Sequence, residues 1–244
     1  RNVLSVLLDD LDSREREDPN RDCVKTFLES SFWNPTHYKI NKVNDTDLAI
    51  TDKTVDKVCM MFECKRVGSD EMVRKEDLNR KGLHELILYY ILEERVKKNT
   101  EIRKLAITDG YQYFVFDKGD FYRFFGSKEH FVRQILNEEY DDKTKRSFIY
   151  ERIISPEVEK IWKKIPYTYF DLGIFEGRIK DADVINDRKF KAIYKFFTPT
   201  HLLNLPYAGD HNTLNERFYK ELLYIMGLRE VAESGIRKIV RIQE

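Results

Sequence analysis

The stretch VCMMFECKR, residues 58–66, sets the strongest limit on the fold of this chain. Five apolar residues lead directly into Glu63, and a short run of this kind predicts a buried β-strand. Because side chains alternate between the faces of a strand, Glu63 and Lys65 project from the same face at its end. Burial of an unpaired charge is costly, so these two residues indicate either a functional site or a structural ion pair.

The pattern around this strand predicts an α/β core. A long helix is expected over residues 71–97, and its middle, LHELILYYIL, is apolar on almost every face, which is typical of a crossover helix packed on more than one side. Gly82 inside this helix indicates the close approach of another group. The other expected elements are a helix over 19–32 with Asp18 as N-cap, strands over 38–43 and 47–50 around a turn at Asn44–Asp45, and strands over 104–108 and 111–116 around a turn at Asp109–Gly110.

The second part of the chain differs in character. Residues 127–165 predict charged helices, IPYTYFDLG (165–173) begins an irregular aromatic-rich connector, and LNERFYKELLYIMGL (214–228) predicts a last amphipathic helix. We therefore expect a boundary near residue 140, between a domain of residues 1–140 and a mostly helical region of residues 141–244.

Composition excludes several classes of protein. The 244 residues carry 43 basic and 43 acidic side chains, so a nucleic-acid surface would have to be local, and the runs RVKKNTEIRK (95–104) and KTKR (143–146) more often form solvated faces. No apolar run is long enough to span a bilayer and no signal-peptide pattern is present, which predicts a cytoplasmic protein without a membrane partner. The first residue is Arg, which suggests a chain trimmed at its start.

Two carboxylates on neighbouring strands form the main candidate site. Asp47 heads DLAI, sixteen positions before Glu63, and adjacent strands can bring both within reach of one metal ion. Mg²⁺ prefers such oxygen ligands, and the backbone carbonyl of Cys64 offers a third. Lys65 would then orient a water and counter charge at a scissile phosphate. A structural salt bridge of Glu63 with Lys65 or Lys81 is the main alternative.

Two weaker patterns accompany this site. Lys81, His84 and Glu85 share a helix face at positions i, i+3 and i+4. Taken alone, this pattern more often marks a helix start that is polar only because it is solvated. The three cysteines have no disulfide framework spacing, and a zinc site would need an unpatterned set of ligands, namely Cys59, Cys64 and His84.

The segments TDLAI, MMFECKR and DLNRKGLHELILYYILEER resemble the PD-(D/E)XK nuclease superfamily. More narrowly, the chain looks like the N-terminal nuclease region of bacterial type IIG restriction enzymes, which fuse an endonuclease and an adenine methyltransferase. YTYFDLG, TPTHLLNLPYAGD and LNERFYKELLYIMGL look like the helical connector of those proteins. The resemblance implies a restriction-endonuclease-like core over 1–140, with a mixed central sheet flanked by helices, and a connector over 141–244 that leads toward an absent methyltransferase domain.

The resemblance also implies roles for individual residues. Asp47 and Glu63 would bind the metal together with the Cys64 carbonyl, and Lys65 would be the catalytic lysine. Either Glu15 or Glu17 would complete the metal site. The residues expected to support the site or to contact DNA phosphates are Asn79, Lys81, His84 and Glu85. Thr46 stands where the motif has Pro, and Cys64 replaces a more usual apolar residue.

The activity implied is cleavage of double-stranded DNA with Mg²⁺, or with Mn²⁺ as a substitute. NLPYAGD (204–210) lacks the first Pro of a methyltransferase tetrapeptide, so S-adenosylmethionine is expected only in the absent methyltransferase part. The expected partners are methyltransferase and target-recognition domains and, for double-strand cleavage, a second copy in a transient pair. The alternative is a DNA-binding or assembly module with a degenerate nuclease fold.

Overall fold

A computed structural model describes residues 2–11, 17–178, 184–203, 223, 226–233 and 236–241. The chain forms two compact units, residues 1–204 and 205–244. The helices of the first unit are α1 (Asn2–Asp10), α2 (Glu17–Ser31), α3 (Lys81–Ile91), α4 (Lys118–Phe121), α5 (Glu129–Leu136), α6 (Arg146–Phe148), α7 (Ser155–Ile161), α8 (Val184–Phe197) and α9 (Pro199–Leu202). Its strands are β1 (Tyr38–Val43), β2 (Thr46–Asp52), β3 (Lys57–Cys64), β4 (Lys104–Thr108), β5 (Gln112–Asp117) and β6 (Thr168–Asp171).

The six strands form one mixed sheet in sequential order, β1 to β6. Only β3 and β4 are parallel, and the other neighbouring pairs are antiparallel. In β3 every residue from Val58 to Cys64 is buried, as expected for a central strand covered on both faces. The prediction of an α/β fold with a mixed central sheet flanked by helices is therefore confirmed.

The expected strands and turns on either side of β3 are confirmed within a residue or two at most ends. Asn44 in the β1–β2 turn and Gly110 in the β4–β5 turn have left-handed φ values of 55° and 91°. Asn tolerates this conformation and Gly adopts it without a steric penalty, which explains why these residues stand at the turns. Pairing with β3 places the start of β2 and the end of β4 next to the end of β3.

Helix α3 makes the crossover between the parallel strands β3 and β4. Nine of its eleven residues are buried, which confirms packing on more than one side. The predicted start at residue 71 is wrong, because α3 begins only at Lys81, after an extended Arg80. Before it, Arg74 and Asp77 exchange backbone hydrogen bonds, and the Asp77 carboxylate accepts one from the Asn79 amide. This local bonding replaces the helical ladder. Beyond Ile91 the helix continues as a π-helical turn, Leu92–Val96.

The opposite face of the sheet is covered by α2 and α8. Phe197 of α8 packs edge-on against Phe27 of α2 and Tyr113 of β5, with ring centroids 5.3 and 4.9 Å apart. The helix predicted over 19–32 is confirmed as α2, which begins two residues earlier, at Glu17. Helix α2 contacts β1, β2 and β3.

The first unit continues past the boundary expected near residue 140. The apolar side chains of Ile149, Tyr150, Ile154 and Val158 belong to the main core cluster. IPYTYFDLG is not irregular throughout, because Thr168–Asp171 forms β6 and pairs with β5. Burial of these side chains and the added strand join residues 141–171 to the sheet. The assignment of a nuclease domain and a connector stays a prediction.

In the second unit, β7 (Leu228–Glu233) and β8 (Ile236–Arg241) pair in antiparallel orientation. The helix predicted over 214–228 lies outside the described residues, apart from Leu223 and residues 226–228. None of the helices in the described part of the chain combines the length and apolar character that a membrane crossing needs.

Gly110 offers a test of how the turns fit the core. A Cβ at this position would lie 2.5 Å from Leu11 Cδ2, whereas a Cβ at Gly68, whose φ is also positive, would meet nothing within 4 Å. We predict that Gly110→Ala lowers the free energy of unfolding by about 2–4 kcal/mol, because it adds both backbone strain and overpacking. Gly68→Ala should lower it by only about 1 kcal/mol, because it adds backbone strain alone. Urea denaturation measures both. Equal losses would contradict the packing of Leu11 on this turn.

Candidate active site

The register of β2 and β3 brings the two predicted carboxylates together. Leu48 pairs with Phe62 and Ala49 with Met61, so one step further along the ladder Asp47 stands opposite Glu63 on the same face. Asp47 Oδ2 accepts a hydrogen bond of 3.0 Å from the backbone N–H of Cys64. Asp47 is therefore fixed at the carboxyl end of β3.

Lys65 follows β3 directly and its ammonium is buried among carboxylates. Its Nζ lies 2.7 Å from Glu63 Oε1, 2.6 Å from Glu85 Oε2 and 3.7 Å from Glu71 Oε2. Only 3% of its side chain is exposed. Since an ammonium out of water needs opposite charge nearby, these contacts fix where the Lys65 side chain lies.

The start of α3 closes over this cluster because residue 82 is glycine. The Gly82 amide donates to Glu71 O at 3.0 Å, and a Cβ on Gly82 would lie 3.0 Å from that oxygen and 3.5 Å from Lys65 Cε. The close approach predicted for Gly82 is therefore confirmed. One turn on, the helix presents Glu85 to Lys65, and Lys81 lies 2.8 Å from Glu71 Oε1.

Burial and charge set different pKa values on the two glutamates. Burial raises the pKa of Glu63 well above its ordinary value, and the carboxylates of Glu85 and Asp47 raise it further against the opposing effect of Lys65. The ammonium of Lys65 lowers the pKa of Glu85 despite its burial. Glu63 Oε2 is buried, and the carboxyl groups of Glu63 and Glu85 lie within hydrogen-bonding reach of each other. Glu63 thus has one oxygen on Lys65 and one buried oxygen suited to a proton or a cation.

The donor set fits a small hard cation. The Cys64 N–H points toward Asp47, and within an extended strand the carbonyl of the same residue points the same way. Asp47, Glu63 and this carbonyl are oxygen ligands, and Mg²⁺ commonly uses one or two carboxylates and keeps several waters. The described residues contain no cluster of three or more His, Cys, Asp or Glu side chains arranged for a metal ion, and this includes the zinc alternative.

The two candidates for an additional ligand are not described in full. Glu15 lies outside the described residues, and Glu17 is described only as the first residue of α2.

The carboxylates and Lys65 line a cavity of about 410 Å³. The acidic residues Glu63 and Glu85 are largely buried, as is Lys65, whereas the side chains of Lys81 and Lys143 are 45% and 71% exposed. The buried glutamates and Lys65 therefore lie at the base of the cavity, and the exposed ammonium groups of Lys81 and Lys143 lie at its mouth. Among the described residues, the lining consists of Lys42, Asp45, Asp47, Glu63, Lys65, Lys81, Glu85, Tyr89, Lys143, Arg146, Ser147 and Tyr150.

Asn79 and His84 are not part of this lining. His84 Nε2 donates to Asn79 Oδ1 at 2.7 Å, and Asn79 Nδ2 donates to Glu159 Oε2 at 2.7 Å. Burial lowers the pKa of His84 to about 4, so it carries no charge at neutral pH. Of the four residues expected to support the site, Lys81 and Glu85 line the cavity, and the other two form a separate contact between the start of α3 and α7.

Sequence reasoning missed the wall formed by residues 143–150. Arg146 Nη2 lies 2.7 Å from Asp45 Oδ2, and Arg146 Nε donates to Tyr140 O at 2.6 Å. Tyr150 lines the same wall and shares a hydrogen bond with Tyr89. The basic run KTKR (143–146) could have suggested a binding surface, but its sequence does not show that it contacts the β1–β2 turn, about 100 residues earlier. Glu71, which contacts Lys65 and Lys81, also went unnoticed.

Comparisons with known proteins give a family without a known activity. A family model described as a domain of unknown function (DUF7149) matches residues 1–210, and a second, also described as a domain of unknown function (DUF7814), matches residues 211–244. No curated protein and no solved structure matches the chain significantly. The border between the two matches lies close to the border between the two compact units.

Replacing Glu63 distinguishes a crowded carboxylate from a structural ion pair. We predict that Glu63→Gln changes the free energy of unfolding by no more than about 0.5 kcal/mol or raises it, because Lys65 keeps Glu85 as partner. Lys65→Met should cost about 3–5 kcal/mol, since buried carboxylates lose their cation. Because the pKa of Glu63 is raised on folding, the folded protein keeps a proton that the unfolded chain releases, and the wild type loses stability as pH rises above 4.5. Gln does not titrate, so the stability of Glu63→Gln relative to wild type should increase over the same range.

Urea denaturation of both variants at pH 5 and pH 7.5, without divalent metal, measures these effects. A loss of several kcal/mol in Glu63→Gln at pH 7.5 would mean that the Glu63–Lys65 pair holds the fold together.

His84 should make the fold acid-sensitive. Its pKa falls from 6.5 in the unfolded chain to about 4 in the folded protein. On acidification the unfolded chain therefore binds a proton before the folded protein does, and stability is lost as pH drops from about 6.5 to about 4. The full loss is about 3 kcal/mol, at about 1.4 kcal/mol per pH unit between the two pKa values. We predict that His84→Gln removes this part of the pH dependence of urea denaturation, whereas the exposed His37→Gln does not. An unchanged dependence in His84→Gln would refute this role.

Proposed function

We propose that this chain, which belongs to the family described as a domain of unknown function (DUF7149), is a metal-dependent DNA endonuclease of the PD-(D/E)XK type. One observation carries the proposal. Asp47 and Glu63 stand opposite each other at the ends of neighbouring strands, with Lys65 beside them, in a cavity that has basic side chains at its mouth.

The architecture is compatible with this proposal. A crossover helix joins the two parallel strands of a mixed sheet, and both the Glu63–Lys65 motif and the start of that helix contribute to one cavity. The family that the sequence motifs resemble has a restriction-endonuclease-like fold, and that fold is expected to combine these features. Fold alone does not imply activity, so the chemistry of the site carries the argument.

The site residues have complementary tasks in phosphodiester hydrolysis. Asp47, Glu63 and the Cys64 carbonyl would hold Mg²⁺ or Mn²⁺, which when bound supplies a water of lowered pKa and stabilises negative charge on the phosphate. Lys65, held beside Glu63, would donate a hydrogen bond to the attacking water or to a phosphate oxygen. Glu85, 2.6 Å from the Lys65 ammonium, holds it in position. The buried surroundings strengthen each of these interactions.

The exposed cations at the mouth account for recognition of a polyanion. Lys42 and Lys81 reach solvent beside the carboxylates, so that DNA phosphates can approach the base of the cavity. Arg and Lys contacts of this kind position a duplex without reading its sequence. Sequence readout would come from elsewhere.

In the cell we infer a role as the cleavage module of a type IIG restriction system in the cytoplasm. Methyltransferase and target-recognition domains would supply specificity and S-adenosylmethionine binding. Since one domain of this kind has one active site, cutting both strands would require two copies in a transient pair.

Plasmid cleavage tests the activity. With Mg²⁺ or Mn²⁺ we expect weak, poorly sequence-specific nicking that EDTA stops. Asp47→Asn, Glu63→Gln and Lys65→Met should each lower the rate at least about 100-fold, because each removes a charge that acts on the transition state. The matched control is Asp52→Asn, at the other end of β2. There the Asp52 carboxylate accepts a hydrogen bond from the backbone N–H of Thr54, and the side-chain oxygen of Asn can accept the same bond.

The control variant should cut at the wild-type rate. Nicking that survives in the Asp47→Asn, Glu63→Gln double variant would place the activity elsewhere or in a contaminant.

The second candidate is a DNA-binding or assembly module without catalysis. It is favoured by the contacts of Lys65 with Glu63 and Glu85, which give both glutamates a cationic partner without a metal. Thermal denaturation with added Mn²⁺ separates the two candidates. A metal site should raise the melting temperature in wild type and not in Asp47→Asn, whereas a module without metal shows no rise and keeps salt-sensitive DNA binding.

A further inference from the structure

The wall formed by residues 143–150 contains an anion site that one of the protein's own carboxylates fills. Asp45, in the β1–β2 turn, lies with Oδ1 3.0 Å from Lys143 Nζ and with Oδ2 2.7 Å from Arg146 Nη2. A carboxylate held between an ammonium and a guanidinium makes the same charge-assisted contacts that a phosphate would make. Both cations line the cavity that holds Glu63 and Lys65.

The two cations differ in how firmly they are held. The Arg146 side chain is 6% exposed, donates to Tyr140 O as well as to Asp45, and lies 5.9 Å from the centre of the Tyr89 ring. The Lys143 side chain is 71% exposed, and an exposed ion pair of this kind contributes little to stability. Arg146 therefore anchors the segment, and Lys143 can leave Asp45 at low cost.

We propose that Lys143 is a substrate-binding residue that exchanges the Asp45 carboxylate for a phosphate of the DNA strand in the cavity. This inference rests on the proposed function for the identity of the ligand. Lys143 works with Lys42 and Lys81 at the mouth, and it comes from a segment well beyond the strand–helix motif that carries the carboxylates. Asp45 holds Lys143 at the mouth in the free protein and still anchors Arg146 after the exchange.

The same basic run supplies a matched control. Lys145 lies two positions further on and is also exposed, but it pairs with Glu139 and is not part of the cavity lining. A general attraction of the basic run for DNA would make the two lysines equivalent. Direct phosphate contact inside the cavity makes only Lys143 important.

DNA binding without cleavage tests the difference. Lys143→Gln and Lys145→Gln are each introduced into the full chain carrying Asp47→Asn, and fluorescence anisotropy of a labelled duplex in EDTA is measured over a range of NaCl concentrations. We expect Lys143→Gln to weaken binding about fivefold to tenfold at low salt and to reduce the salt dependence by about one phosphate contact. Lys145→Gln should change affinity less than about twofold.

Equal losses at the two lysines, no loss at Lys143, or no duplex binding by the parent chain would each overturn the inference. Unchanged melting temperatures verify that both variants are folded. The outcome is separate from that of the nicking assay. The wild type could fail to nick plasmid while Lys143→Gln, and not Lys145→Gln, weakens DNA binding. That result would refute the proposed nuclease activity and still support the phosphate contact of Lys143.

Discussion

The site depends on one interaction, the buried ammonium of Lys65 among carboxylates from three parts of the chain. Glu63 comes from the end of β3, Glu71 from the turns that follow, and Glu85 from α3. An ammonium removed from water needs these partners, and they in turn need it. Lys65 therefore ties the strand, the turns and the crossover helix together, and the absence of a Cβ at Gly82 lets the helix come close enough to take part.

Charge is layered around this ammonium. The carboxylates of Asp47, Glu63 and Glu85 lie at the base of the cavity, and more exposed cations surround its mouth. Burial raises the pKa of Glu63 and the neighbouring carboxylates raise it further, which makes that carboxyl group suited to a proton or a metal ion. The cations outside favour a polyanionic ligand. Under the proposed function, the inner carboxylates would hold the metal ion and the outer cations would hold the phosphodiester.

Local patterns were sufficient for the elements that build the base of the cavity. β3 follows from an apolar run with a charged end, and the turns at Asn44 and Gly110 follow from residues that tolerate a positive φ. The same local reasoning failed at residues 71–80, where side-chain and backbone hydrogen bonds around Asp77 compete with the helix. It also failed at Thr168–Asp171, because an edge strand is stabilised by its neighbour β5 more than by its own sequence.

Residue types and their spacing along the chain were enough to predict an α/β core, two carboxylates sixteen residues apart and a lysine two residues after the second. These are local properties of short segments. The position of Asp47 opposite Glu63, the orientation of His84 toward Asn79 and the contribution of residues 143–150 to the cavity became visible in the folded chain. Strand register and contacts between residues about 100 positions apart arise from packing of the whole sheet, and no short stretch of sequence carries that information.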